Sequence, residues 1–112
     1  MQYMLLIYQP ELKMSAEEMG RLHEEFGAFT QGIVRNGTFK AGEALESPAT
    51  ATTVRVRNGK TLLTDGPFAE TKEQLAGYYI VEAKDLDEAA EVASRIPSAR
   101  FGGIEVRPVR KM

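Results

Sequence analysis

The chain has 112 residues, 43% hydrophobic and 27% charged, with a formal net charge of −2. That describes one ordinary globular domain whose core has little to spare. The absence of Cys excludes disulfides, thiolate nucleophiles and Cys-held metal centres, a single His excludes a multi-histidine metal site within one chain, and the scattered Lys and Arg residues form no basic footprint for nucleic acid.

Gln2 to Gln9 is a dense apolar run ended by Pro10, and it predicts a strand. Tyr3, Leu5 and Ile7 fall on one face and Met4, Leu6 and Tyr8 on the other, as in a central strand covered on both sides. The run is far too short to span a bilayer and no basic leader precedes it, so a cytoplasmic protein without a membrane partner is expected. Ser15 followed by Glu18 is a capping box, with Met14 and Met19 placed for a hydrophobic staple. Met19, Leu22, Phe26, Phe29 and Ile33 then recur at helical spacing, and Asn36-Gly37 supplies the stop.

Phe39 to Leu45 predicts a short strand, kinked at Gly42, and Ser47-Pro48 breaks it. Thr52 to Arg57 alternates cleanly, Asn58-Gly59 turns, and Lys60 to Thr64 returns, a strong hairpin signal. Asp65 to Glu73 reads as a tight loop. Gln74 to Ala83 predicts a strand centred on Tyr78 and Tyr79. A second helix is expected from Asp85 or Asp87, with Leu86, Ala89, Ala93 and Ile96 inward and Pro97 as its stop. Ile104 to Val109 is the last strand, with Pro108 marking an edge or an end.

This order fits an α+β, ferredoxin-like sandwich: an antiparallel sheet with two helices on one face. The opposite face, carrying Met4, Leu6, Tyr8 and one of Tyr78 and Tyr79, is left uncovered. An apolar patch above roughly 400 Å² is a liability in a soluble monomer, so a homodimer packed sheet to sheet is expected.

Met1–Tyr8, Ala41–Leu45, Pro48–Arg57, Thr64–Tyr79 and Glu105–Val109 together resemble the YCII-related family in its DGPF-motif branch. The resemblance runs nearly end to end, as a single domain over 1–112, and Asp65 to Gly77 is its most specific stretch. It implies a dimeric α/β-barrel of ferredoxin-like protomers and no settled activity. It also implies a setting beside extracytoplasmic-function sigma factors, and, in the shorter YCII-type proteins, a His–Asp pair suspected of catalysis. Here Ile96 stands before Pro97 where that Asp belongs. Phe26 stands where the His belongs, a turn after His23, and Phe101 replaces a His of many relatives. Neither half of the pair transfers cleanly.

The candidate site residues each have a plainer structural reading. His23 lies on the flank of the first helix, as a general base or as a half-exposed boundary residue. Asp65 is either a carboxylate at the mouth of the cleft between the two sheets or an Asx-turn residue fixing its loop. Gly66, Pro67 and Phe68 shape that loop, with Phe68 expected to plug an apolar gap. Glu70, with Lys72 and Glu73, forms a charged rim or a solvated edge. Arg107 faces away from Ile104 and Val106, to hold an anionic group or to pair with Glu105 or Glu43. Tyr78 offers a hydroxyl to a ligand or packs in the core.

No phosphate loop, nucleophile elbow or zinc motif occurs, so neither cofactor nor metal is expected. Two functions stay open. One is small-molecule binding or a cofactor-free enzymatic step in the inter-sheet cleft of the homodimer. The other is a non-catalytic regulatory or interaction module. Asp65→Ala separates the two roles of that residue: lost ligand binding with intact stability, or a loss of about 1 kcal/mol as for other side-chain caps.

Overall fold

The computed structural model describes all 112 residues. Its elements follow the chain as β1 (Gln2–Gln9), α1 (Ala16–Arg35), β2 (Phe39–Ala44), β3 (Thr52–Arg57), β4 (Lys60–Asp65), β5 (Gln74–Glu82), α2 (Leu86–Ser94) and β6 (Gly103–Pro108). The main sheet has the order β2-β5-β1-β6, antiparallel throughout. Each βαβ crossover skips one strand, which is the split arrangement the element order predicts. The sheet is open, and one chain closes no barrel.

Alternation along β1 divides the molecule. Tyr3, Leu5 and Ile7 are buried and join Tyr79, Val81, Ile33 and the α2 residues Ala89, Val92 and Ala93 in one core. Both helices therefore cover the same face. On the other face Met4 lies opposite Ile80, and Leu6 lies between Tyr78 on β5 and Glu105 on β6. Nothing in the chain covers this face, and its apolar residues stay half-buried.

The capping chemistry of α1 is complete at both ends. Ser15 Oγ accepts the Glu18 amide and Glu18 Oε1 accepts the Ser15 amide, each at 3.1 Å. At the far end Thr38 N donates to Ile33 O at 2.9 Å and Gly37 N to Val34 O at 3.2 Å. With Gly37 at φ 81° this is a Schellman motif. Arg100, in the 3₁₀ turn Pro97–Arg100, clamps the middle of α1 through a two-bonded ion pair to Glu25 at 2.6 and 2.9 Å. The Arg100 guanidinium holds the Glu25 carboxyl below its ordinary value.

Several local expectations are corrected. The irregularity of β2 lies between Phe39 and Ala41, not at Gly42. Gly42 answers to packing: a Cβ there would meet Tyr79 Cδ1 at 2.7 Å. The second helix ends at Ser94 and Pro97 opens the 3₁₀ turn instead of stopping the helix. Val92 takes the buried place expected of Leu86, which is 56% exposed.

The predicted hairpin forms, with Asn58 and Gly59 both at positive φ. It is a separate two-stranded sheet, and β3 and β4 pack chiefly on each other. Its register places Val54 beside Leu63 on one face, at 59% and 69% exposure. A lone two-stranded hairpin is marginal in water, so this arm is the second apolar surface the chain leaves uncovered.

Asp65 closes β4 opposite Thr52, exposed, and its carboxylate accepts no hydrogen bond. The Asx-turn reading is thereby corrected. The loop is held instead by Gly66 N donating to Ala51 O at 2.7 Å and by Thr53 Oγ1 donating to Gly66 O at 3.0 Å. Asp65→Ala is expected to change the urea midpoint by less than about 0.5 kcal/mol equivalent, whereas Thr53→Val should lose about 1 kcal/mol. Equal effects in the two unfolding curves would contradict this assignment. Phe68 plugs no gap either: it is 79% exposed and lies under Arg55, whose Cζ is 5.2 Å from the ring centroid.

Candidate functional site

The α1 stripe does more than close the core. Met19, Leu22, Phe26 and Thr30 recur every three or four residues and so share one face. Together with the ends of β2 and β5 they enclose a cleft of about 530 Å³ on the helix side of the sheet. Its walls are mostly apolar, and its size lies within the roughly 300–1,000 Å³ of small-molecule sites.

Two glycines let the walls approach. Gly42 admits the Tyr79 ring, and a Cβ on Gly77 would come within 2.8 Å of Glu43 O, so β2 and β5 can pair closely here only without side chains. The register of β1 against β5 shifts between Ile7 and Tyr8, placing a bulge at Ala76 on the cleft wall.

The buried end of the cleft carries a hydroxyl pair. Thr30 Oγ1 and Tyr79 Oη are 2.7 Å apart, and either can donate. Tyr79 is held by edge-on contacts with Phe29 at 5.3 Å and Phe39 at 6.3 Å. Burial raises the Tyr79 phenol above its ordinary value, with the Thr30 bond drawing it partly back, so it stays protonated at neutral pH. His23 lies at the exposed rim, and Glu43 borders the cleft at the β2 backbone, since its register opposite Tyr78 turns its side chain to the open face. No Lys or Arg lines the cleft.

The residues expected from sequence are placed as follows. His23 borders the helix–sheet cleft, and Tyr78 meets it along β5, with its side chain on the opposite face beside Leu6. His23 makes no ion pair and no side-chain hydrogen bond. Pro67 and Phe68 border a different concavity of about 550 Å³, with Tyr8, Leu45 and Leu75. Lys72 and Glu73 border a shallow depression with Tyr8 and Glu105. The loop after Asp65 thus flanks the Tyr8 end of the open sheet face. Arg107 is on that face too, opposite Met4, with its Nε 3.9 Å from Glu105 Oε2. Asp65, Gly66 and Glu70 border none of these concavities. The structure does not gather His23, Asp65 and Arg107 into one site.

Thr30 and the hydroxyl role of Tyr79 were not read from sequence. A signal existed: Thr30 is the one polar residue in the stripe between Phe26 and Ile33, and a polar group on an apolar face calls for a partner.

The fold and cleft define an α+β protein with an uncovered antiparallel sheet on one side and a ligand-sized helix–sheet cleft on the other. The family model for the YCII-related domain matches residues 1–112, and the chain belongs to that family. It is also 38% identical, over 114 residues, to an uncharacterized protein of Rhizobium meliloti (strain 1021), covering 97% of this chain and 92% of that one. No helix is long and apolar enough to cross a membrane.

Proposed function

We propose that the protein is a homodimeric binder of small, largely apolar organic molecules, with one site per protomer between α1 and the β2–β5 end of the sheet. The observation that carries this reading is the 530 Å³ cleft with apolar walls, a hydroxyl pair at its buried end and no Lys or Arg in its lining. Dimerisation is supported by the open face of β1 and β5 and by the exposed arm β3–β4, two apolar surfaces that a second copy would remove from water. The Asp65-Gly66-Pro67-Phe68 run supports the DGPF branch, and the fold supports a barrel completed by the second sheet. Binding is favoured over turnover because His23 has no group beside it to orient a general base.

Titration of the isotopically labelled protein with 2-ethylnaphthalene tests the placement. Amide shifts are expected along β5 from Ala76 to Tyr79 and along α1 from Leu22 to Thr30. Shifts clustered instead at Met4, Leu6 and Arg107 would move the site to the cleft between the sheets, and no shifts at all would refute a binding function.

One observation favours a second reading. The arm carries exposed Val54, Val56 and Leu63 away from the body of the domain, and such a surface suits docking to another macromolecule. By the family resemblance this would belong to a sigma-factor-linked regulatory module.

A further inference from the structure

The Thr30–Tyr79 pair restricts what the cleft can hold. A hydroxyl carries one donor proton and two acceptor sites. Two hydroxyls joined by one hydrogen bond at 2.7 Å therefore keep one proton unspent, whichever of them donates. Thr30 Oγ1 makes no second bond to its own helix, and Tyr79 Oη makes none elsewhere. Water can meet that proton while the cleft is empty. A ligand that fills the cleft expels water, and an unmet buried donor then costs about 1–3 kcal/mol. Spare lone pairs on an oxygen that already has a partner are less costly. The buried end thus requires one acceptor from its occupant.

Charge narrows the class further. An anionic acceptor would enter a cleft with no Lys or Arg on its walls. It would have to shed its hydration without a counter-charge, which is far costlier than one neutral hydrogen bond supplies. An ammonium group has donors only and would leave the buried proton unmet.

We propose that the cleft selects neutral apolar molecules bearing a carbonyl oxygen, which the Thr30–Tyr79 pair binds at the buried end. This rests on the cleft being a binding site, and the two ideas are separable by experiment. The probes are 2-acetylnaphthalene, 2-ethylnaphthalene and 2-naphthoate, which share a ring system and differ in the polar group, with affinities taken from calorimetry or labelled-protein titration. The wild-type protein is expected to bind the ketone about fivefold more tightly than the hydrocarbon, the value of one neutral hydrogen bond, and the carboxylate most weakly. The double variant Thr30→Val/Tyr79→Phe keeps the shape and removes both hydroxyls. It should bind 2-ethylnaphthalene as before and lose the preference for the ketone, while the retained hydrocarbon affinity reports an intact cleft. Single variants keep one hydroxyl and should retain part of the preference.

Equal affinities for ketone and hydrocarbon in the wild type, or tightest binding of the carboxylate, would overturn the carbonyl assignment and leave the cleft as a binding site. Failure of all three probes at millimolar concentration would overturn both. A ketone preference that persists in the double variant would show that another group supplies the donor.

Discussion

Leu5→Ala is expected to remove about 3 kcal/mol of stability, read as a fall in Tm on the order of 10 °C. Leu5 is 0% exposed at the centre of β1, opposite Tyr79 on β5 and Val106 on β6. Both neighbours are held by their own ladders, so the space left by the lost isopropyl group cannot collapse, and the cost includes a cavity as well as the lost transfer energy. A domain of this kind is stable by only about 5–15 kcal/mol. A change below about 1 kcal/mol in the unfolding curve would mean that the core is packed more loosely than the structure requires.

Leu6→Glu, one residue on, should have the opposite outcome. Leu6 faces the open side of the sheet, beside Tyr78 and Glu105. In an isolated protomer the new carboxylate would reach water and the fold would survive. In a sheet-to-sheet dimer it would be buried beside Glu105 and Glu43, with Arg107 already drawn towards Glu105, at a cost of several kcal/mol for each of two copies. Light scattering at micromolar concentration is expected to give the mass of two chains for the wild type and of one chain for the variant, with native circular dichroism in both. A monomeric wild type would refute the dimer. A dimeric variant would show that copies meet elsewhere, and the arm β3–β4 with its exposed Val54, Val56 and Leu63 would be the surface to test next.

The contrast between these neighbours was legible in the sequence, because the two-residue period of a strand assigns alternate side chains to opposite faces whatever the fold. The same holds for the α1 caps at Ser15–Glu18 and Asn36-Gly37 and for the Asn58-Gly59 turn, whose chemistry is completed within a few residues. Local expectations failed where a distant residue decided the outcome. Gly42 reads as a kink, yet the space it leaves is taken by Tyr79, which reaches it only through the β2–β5 pairing. Asp65 reads as a turn-forming residue, yet Thr53, across the hairpin, fixes the loop.

The candidate site divides in the same way. His23 and Tyr78 were singled out by residue type, and the fold puts His23 at the helix–sheet cleft and the Tyr78 side chain on the opposite face. Asp65 and Arg107 were singled out by type as well, and the fold sets them apart. Thr30 and Tyr79 lie 49 positions apart, and no spacing rule joins them.

By itself, then, the sequence determined the element order, the inward face of each strand, the ends of α1, the family, and the excess of apolar sheet surface. All of these depend on residue type and short-range periodicity. Only the tertiary structure decided that a ligand-sized cleft opens on the helix side, that a hydroxyl pair lies at its buried end, and that the β3–β4 arm stands away from the core. Those features are set by which strands pair and how far a helix stands off the sheet, quantities summed over contacts between residues far apart in the chain.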